Sequence, residues 1–279
     1  HGDRRYSSIQ LSPPLGTRQF LPAAEIPSHR FAKVAGPRRK ISVIYNYFKK
    51  ESTLFRSLES LEKQAWQRCR REDVEVILVD DGTVGENVVE RLPEHVLYVW
   101  QRKVGYGICR AKNTGARLAN GDYLLFLDPD IMIGEGFFDA MLEQFERFGD
   151  RLVQCGYVSD YHFEGSPDPR ERFGVWEWPD RPTRRFYQVA GGCLAIARSL
   201  YDETPGFDED LIYGGVEDIL FGYHLSKLPG TAVYFNSKMQ SRHIPHPPGG
   251  AHADPAKTWE IVRQKWPEFY EDYVTRGVR

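Results

Sequence analysis

Residues 121–130 constrain the fold of this 279-residue chain more than any other stretch. They read Gly-Asp-Tyr-Leu-Leu-Phe-Leu-Asp-Pro-Asp, an apolar run that is followed at once by two carboxylates. A short apolar run bounded by glycine and proline predicts a strand that is buried on both faces, and such strands lie in the middle of a sheet. We therefore expect Asp128 and Asp130 at the C-terminal end of a central strand.

Two explanations fit this pair of carboxylates. A hard divalent cation, Mg²⁺ or Mn²⁺, prefers oxygen ligands and commonly bridges to the phosphates of a substrate. Aspartate also favours turns and the first turn of a helix, so the pair could simply form a capped turn before a helix that begins near Gly136. The stretch alone leaves both explanations open.

Three further strand candidates precede this stretch, and helical segments separate them. The strands are expected at 41–47, 74–79 and 96–100, with one helix capped by Ser52 and another at 108–118. This alternation predicts an α/β fold with a doubly wound, mostly parallel central sheet and helices on both faces. In open sheets of this kind, ligands bind at the edge formed by the C-terminal ends of the strands.

A second acidic turn, Asp80-Asp81, follows the strand expected at 74–79. Right-handed crossovers would bring this turn and Asp128-Pro129-Asp130 to the same edge of the sheet, which independent turn capping does not predict. The coincidence favours a ligand site. The sequence contains no dinucleotide-binding fingerprint, Walker loop or nucleophile elbow that would suggest another kind of site.

Two glycine pairs lie further along the chain. Gly191-Gly192 opens an apolar run and predicts a place where the backbone must approach another group closely. The other pair stands just before Glu217 and Asp218 at the start of a helix. The helix macrodipole alone explains carboxylates there, but the glycines also allow a substrate to approach, and a carboxylate could then serve as a general base.

Histidine and tryptophan supply the remaining candidates. His243 and His246 lie in a proline-fixed turn, where they could give a nitrogen ligand to a cation or be ordinary surface histidines. Trp176 lies in a long polar segment at 159–187. It could contact a sugar ring or a base, or it could anchor that segment onto the domain.

Composition limits the class of partner. The formal net charge is only −2, so no global field directs the protein to nucleic acid or an anionic membrane. The four cysteines are scattered without a CxxC pair, which predicts a reducing, cytoplasmic location and no structural zinc. No apolar run approaches the roughly 20 residues of a membrane span, so no integral span is expected. The first residue is His1 rather than Met, which leaves open a native segment before it.

The domain organisation follows from the same patterns. We expect an irregular, proline-rich arm at 1–40, a catalytic domain at 41–250 and a helical tail at 251–279 that packs on the domain. Closing strands are expected at 231–235 and 237–243.

In this order and spacing, the motifs resemble those of the inverting, metal-dependent nucleotide-sugar glycosyltransferases of the GT-A fold, especially family 2 enzymes with a galactosyltransferase-like C-terminal motif. The resemblance covers about residues 41–248. The matching signatures are Val79-Asp80-Asp81-Gly82-Thr83, Lys112-Asn113 with Lys where the family has Arg, Asp128-Pro129-Asp130 as the DxD motif, and Gly206-Phe207-Asp208-Glu209 followed by Gly-Gly-Val-Glu-Asp.

The resemblance implies a hexosyltransferase that moves a sugar from a nucleotide donor, expected to be a UDP-sugar, to a hydroxyl of a glycan or other acceptor. It implies a Mn²⁺ or Mg²⁺ ion held chiefly by Asp130, with Asp128 touching the metal or the ribose. It implies His243 as a further ligand and His246 as the runner-up. The donor-binding residues that it implies are Tyr45, Asn46, Tyr47, Asp80, Asp81, Lys112, Asp128, Trp176, Gly191 and Gly192.

The resemblance also implies the chemistry. Asp218 would deprotonate the acceptor hydroxyl for a single displacement, and Glu217 would orient the acceptor. Two other classes stay open: a nucleotide-sugar-binding module without transfer activity, and a nucleotidyltransferase. The latter would usually carry a glycine-rich basic loop directly after the first strand, and residues 46–50 contain no glycine. The transferred sugar, the acceptor and the oligomeric state are not specified by the sequence.

Overall fold

The computed structural model describes residues 9–11, 19–21, 39–85, 88–159, 181–246 and 254–275. The strands are β1 (Ile9–Leu11), β2 (Gln19–Leu21), β3 (Arg39–Tyr47), β4 (Val74–Asp80), β5 (Val96–Trp100), β6 (Gly121–Leu127), β7 (Ile131–Ile133), β8 (Leu152–Ser159), β9 (Cys193–Ala197) and β10 (Ala232–His243).

Helices connect these strands. They are α1 (Glu51–Glu62), α2 (Ile108–Leu118), α3 (Phe137–Phe148), α4 (Arg198–Asp202), α5 (Glu217–Ser226), α6 (Pro255–Lys265) and α7 (Pro267–Tyr270). Short 3₁₀ turns span Arg71–Asp73, Val89–Arg91 and Phe186–Gln188, and a π-helical turn spans Glu271–Thr275. Among the described residues, no helix is long and apolar enough to cross a membrane.

The described strands form one sheet in the order β2-β1-β5-β4-β3-β6-β9-β8-β10-β7. Strands β5, β4, β3 and β6 are mutually parallel because helical crossovers connect them. Strand β9 pairs antiparallel with β6 and with β8, whereas β8 and β10 are parallel. The predicted α/β fold with a mostly parallel central sheet is confirmed, and the C-terminal ends of β3, β4 and β6 meet at one edge.

Strand β6 is buried on both faces, as its apolar run predicts. Leu124 and Phe126 pack into one apolar cluster with α2, α5, α6 and α7, whereas Leu125 and Leu127 pack into a second cluster with α1 and α3. This alternation is the two-residue period of a strand. Helices on both faces therefore fix the end of β6, and with it the acidic turn that follows.

The structure differs from the sequence prediction in four local features. β1 and β2 lie inside the arm predicted to be irregular, and they extend the sheet beyond β5. β7 was not predicted; like β1 and β2, it has three residues, too few to show a two-residue period. The two strands predicted at 231–235 and 237–243 are one strand, β10, with a bulge between Asn236 and Gln240. Helix α1 begins at Glu51 after Lys50, so Ser52 is not its cap.

Candidate active site

The acidic turn after β6 is tied to the backbone of β9. The Asp128 amide donates to the Gly192 carbonyl at 2.9 Å, and the Ile131 amide donates to the Asp128 carbonyl at 3.1 Å. The Oδ1 atoms of Asp128 and Asp130 are both buried and accept no hydrogen bond within the described part of the chain. A buried polar atom without a partner costs about 1–3 kcal/mol, so these two oxygens fit a site that is completed by a ligand.

Asp130 and two histidines form a possible metal site. His246 Nε2 lies 2.8 Å from Asp130 Oδ2, and His243 Nε2 lies 3.8 Å from the same oxygen. Ligand atoms of the three residues lie within 4.8 Å of one another. The pairing of β7 with β10 produces this arrangement, because it places Ile131 opposite His243 and lets the Ile244 amide donate to the Asp130 carbonyl at 2.7 Å.

Protonation in this cluster suits metal coordination. Burial alone would raise the pKa of Asp130, but the contacts with His246 and Lys50 lower it to about 2. Burial lowers the pKa of His243 despite the opposing charge of Asp130. At neutral pH the carboxylate is therefore ionised and the His243 ring is neutral, which are the states that bind a divalent ion. Asp128 differs, because burial raises its pKa to about 6.

A left-handed turn presents Glu217 and Asp218. Gly214 and Gly215 have φ of +72° and +78°, and Val216, the residue before α5, has φ of +71°. This conformation is rare for a β-branched residue and costs about 1–3 kcal/mol. The turn is therefore held by its surroundings, among them the Tyr106 ring, which would lie 2.6 Å from a Cβ at Gly214.

Asp218 faces a buried lysine across Gly191. Lys112 Nζ lies 3.4 Å from Asp218 Oδ1, and the Lys112 side chain is only 1% exposed. Burial would lower the pKa of Lys112, but the carboxylates of Asp218, Asp128 and Glu217 raise it above its ordinary value. Lys112 therefore stays cationic and places its positive charge beside the Asp218 carboxylate.

The two glycines at 191 and 192 connect the acidic turn to the start of α5. A Cβ at Gly191 would lie 2.0 Å from Asp218 Oδ1, and one at Gly192 would lie 2.8 Å from Asp128 Oδ2. A side chain at either position would therefore force these neighbouring charged groups to move. The structure thus brings Asp128, Lys112 and Asp218 together around one stretch of glycine backbone.

Glu217 is the first residue of α5 and precedes Asp218. Its Oε2 atom is buried and makes no hydrogen bond to any described residue. Burial, with a contribution from the charge of Asp218, raises the pKa of Glu217 to about 7. A large fraction of this carboxyl is protonated at neutral pH.

Asp80 and Asp81 lie at the other end of the same edge, with different surroundings. Asp80 is a turn residue that accepts from the Thr83 amide at 2.8 Å and from the Tyr98 hydroxyl at 2.7 Å. Asp81 accepts from Gln101 Nε2 and Lys103 Nζ, each at 2.8 Å. Asp80 therefore stabilises the turn from within, whereas Asp81 connects the turn to side chains that follow β5.

The predicted base contacts of Tyr45 and Tyr47 need correction. Both side chains are fully buried in the cluster with α1 and α3, and the Tyr45 hydroxyl lies 2.9 Å from Ser57 Oγ. Residues 45 and 47 share one face of β3, so Asn46 alone points the other way. Asn46 is partly exposed, and its Oδ1 atom is buried without a hydrogen bond from a described residue. Trp176 lies outside the described residues.

Sequence reasoning missed Phe48, Lys50 and Lys103 as site residues. Lys103 Nζ lies 3.7 Å from the centroid of the Phe48 ring and also binds Asp81. Lys50 Nζ contacts Asp130 Oδ2 and lies 3.0 Å from His246 Nε2. The available signal was that Phe48 and Lys50 directly follow β3 and that Lys103 closely follows β5, since both strands belong to the parallel part of the sheet.

Comparison with known proteins identifies relatives of the chain. The family model described as "Glycosyl transferase family 2" matches residues 41–198. N-acetylgalactosaminyltransferase 6 of Drosophila melanogaster is 24% identical over 298 residues, covering 95% of this chain and 44% of the relative. Inactive polypeptide N-acetylgalactosaminyltransferase-like protein 5 of Macaca fascicularis is 26% identical over 201 residues, covering 60% of this chain and 45% of the relative. The chain thus spans less than half the length of either relative.

A solved structure shares the fold. The crystal structure of GalNAc-T7 with UDP, GalNAc and Mn²⁺ matches with a TM-score of 0.65 at 20% identity, covering 86% of this chain and 51% of that one. At this level of identity the match supports the GT-A fold and leaves the roles of individual residues to the geometry.

Proposed function

The chain belongs to glycosyl transferase family 2, and on that premise we propose that it transfers a sugar from a UDP-sugar to an acceptor hydroxyl with inversion at the anomeric carbon. The observation that carries the proposal is the convergence of Asp128, Lys112 and Asp218 on the Gly191-Gly192 backbone. A proton acceptor and a candidate cation site thus border the same narrow, side-chain-free space.

The residues that would hold a divalent ion are Asp130, His246 and His243, with Asp128 beside them. Their oxygen and nitrogen donors suit Mn²⁺ or Mg²⁺, and a bound ion would neutralise charge on the diphosphate leaving group. The two buried carboxylate oxygens without partners support this fit. The Mn²⁺ and UDP in the GalNAc-T7 structure are a property of that protein and support the same choice here.

Asp218 is the proposed base. Its carboxylate takes the proton of the acceptor hydroxyl while the hydroxyl oxygen bonds to the anomeric carbon and the bond from that carbon to the diphosphate breaks. A single displacement of this kind inverts the configuration. Lys112 places a positive charge 3.4 Å from Asp218 Oδ1, and protonated Glu217 donates a hydrogen bond that orients the acceptor.

The nucleotide is proposed to occupy the edge beyond this centre. Asp81, Asn46, Lys103 and Phe48 border it. UDP is the expected donor nucleotide, and a glycan or other hydroxyl compound is the expected acceptor. The cytoplasmic location predicted from the cysteines remains a prediction, and all four cysteines are buried free thiols.

A nucleotide-sugar-binding protein without transfer activity is the second candidate, and the relative named as inactive favours keeping it. One experiment separates the two. Thermal-shift screening against UDP-, GDP- and TDP-sugars with Mn²⁺ selects the donor, and release of UDP is then measured with wild type and Asp218→Asn. We expect UDP release by wild type, a loss of about 10²–10⁴-fold in the variant, and donor affinity retained in both. Donor binding without any release by wild type would favour the second candidate.

A further inference from the structure

Lys50 lies among the candidate cation ligands, although no sequence motif includes it. It precedes α1 on the loop after β3, and its side chain is 24% exposed. Its Nζ atom contacts Asp130 Oδ2 and lies 3.0 Å from His246 Nε2. Lys50 thus reaches across the crevice to two of the three residues of the possible metal site.

An ammonium group and a divalent ion would need the same electron pairs. An ammonium group has three donors and no acceptor, so Lys50 uses lone pairs of Asp130 Oδ2 and His246 Nε2. A metal ion would use those lone pairs too. Both cations cannot occupy this point together, because two positive charges at such a distance repel strongly in a buried site.

The hydrogen bonding around His246 also favours exchange. Its Nε2 atom lies 2.8 Å from Asp130 Oδ2 and 3.0 Å from Lys50 Nζ. One ring nitrogen cannot donate to the carboxylate and accept from the ammonium at the same time. A divalent ion between the ring and the carboxylate would accept electron pairs from both, so its entry removes this conflict.

We propose that Lys50 is a resident counter-ion of the Asp130–His246 pair, and that a divalent ion must displace it. This inference rests on the proposed function. In the protein without nucleotide, Lys50 competes with the free ion and weakens its binding. When the ion arrives with a nucleotide diphosphate, the phosphate oxygens give the displaced ammonium new acceptors. Binding of the ion and of the nucleotide are therefore coupled through the flexible Lys50 side chain.

The coupling predicts a specific pattern of Mn²⁺ affinities. Lys50→Met removes the competing charge and keeps the apolar stem. We expect this variant without nucleotide to bind Mn²⁺ at least about tenfold more tightly than wild type, since a site occupied by a competitor loses apparent affinity in proportion. UDP should strengthen Mn²⁺ binding markedly in wild type and at least about fivefold less in the variant.

The experiment is a Mn²⁺ titration of the whole chain, followed by the electron paramagnetic resonance signal of free Mn²⁺, with and without UDP. Lys49→Met is the matched control, because Lys49 is the adjacent residue, is exposed and has no contact with Asp130 in the structure. We expect this control to stay within about twofold of wild type. Lys50→Gln provides a second variant if Lys50→Met does not fold.

Each outcome decides a different point. Unchanged or weaker Mn²⁺ binding in the Lys50 variants, with normal binding in wild type plus UDP, overturns the counter-ion role and leaves the proposed function intact. Equal tightening by Lys49→Met also overturns it, since the effect would then be a general loss of positive charge. If neither wild type nor variants bind Mn²⁺ with or without UDP, the metal-dependent function itself is wrong, and this inference falls with it.

Discussion

Replacing Gly191 with alanine should disable the proposed base while leaving the fold intact. The backbone at Gly191 is not in the left-handed region, so alanine can adopt it without strain. The new Cβ would lie 2.0 Å from Asp218 Oδ1 and 2.5 Å from Lys112 Nζ. Ordinary contacts are about 3.5 Å or more, so the carboxylate and the ammonium must both retreat by about 1 Å or more.

The size of the effect follows from that displacement. A misplacement of about 1 Å at a reacting centre can cost about 10²-fold in rate, which corresponds to about 2.7 kcal/mol of transition-state stabilisation. We therefore expect the kcat of Gly191→Ala to fall by about 10²-fold on the donor chosen by the thermal-shift screen. Affinity for UDP with Mn²⁺ should change little, because Asp81 and Asp130 are untouched.

Gly134→Ala is the matched control. It is the same substitution at a position that is also crowded, with the Gln240 carbonyl at 3.0 Å, but it lies after β7 and outside the crevice. It should lower the melting temperature slightly and leave kcat within about twofold of wild type. A Gly191→Ala protein that binds UDP normally and keeps kcat within about threefold of wild type would refute the placement of the base beside Gly191.

Three further predictions test the other parts of the site. EDTA should abolish transfer and Mn²⁺ should restore it, and turnover that EDTA does not change would contradict the metal site. His246→Ala should raise the Mn²⁺ concentration needed for half-maximal rate by about tenfold or more. Lys112→Arg should keep most of the activity because the positive charge stays. Lys112→Met should lose at least about tenfold in kcat and several degrees in melting temperature, because it leaves the negative charges of Asp218 and its neighbours uncompensated. Equal kcat in the two variants would show that the charge is not needed. The pKa of Glu217 is about 7 in the native protein and 4.5 in the unfolded chain. Between these two pH values the native protein binds a proton that the unfolded chain has lost, so the free energy of unfolding falls as pH rises from 4.5 to about 7. Glu217→Gln should therefore gain in melting temperature relative to wild type by a few degrees more at pH 8 than at pH 5, and a difference that does not vary with pH would argue against the raised pKa.

The sequence predicted those parts of the site that follow directly from a strand or a helix start. Asp128 and Asp130 were located because a run of apolar residues fixes the end of β6 by its own pattern. Glu217 and Asp218 were located because glycines precede a helix. In each case the signal lies within a few residues of the functional group.

The parts that were wrong or missed depend on side-chain direction or on distant pairing. The sequence of β3 contains Tyr45, Asn46 and Tyr47 without showing which face is buried, since apolar residues such as Val43 and Ile44 occur on both faces of the strand and both faces of the sheet are covered. Lys50 could not be assigned to Asp130, because the two residues are 80 positions apart and the contact depends on how the loop after β3 folds over the crevice. Long-range contacts of this kind leave no periodic pattern in a single sequence.

The bulge in β10 determines which face of the strand His243 lies on. Before it, Asn236 pairs with Gly156, and after it Gln240 pairs with Tyr157, so residues 237–239 are inserted between adjacent partners on β8. An odd insertion reverses the alternation of side chains. Val233 accordingly packs into the cluster with α2 and α5, whereas Met239 packs into the cluster with α1 and α3.

His243 lies an even number of residues after Met239, so it faces the same side of β10 and reaches Asp130. If residues 237–239 were instead paired as regular strand, His243 would lie three positions further along β8 and on the opposite face of β10. The bulge in β10 therefore decides whether His243 can join Asp130 and His246 in the candidate metal site.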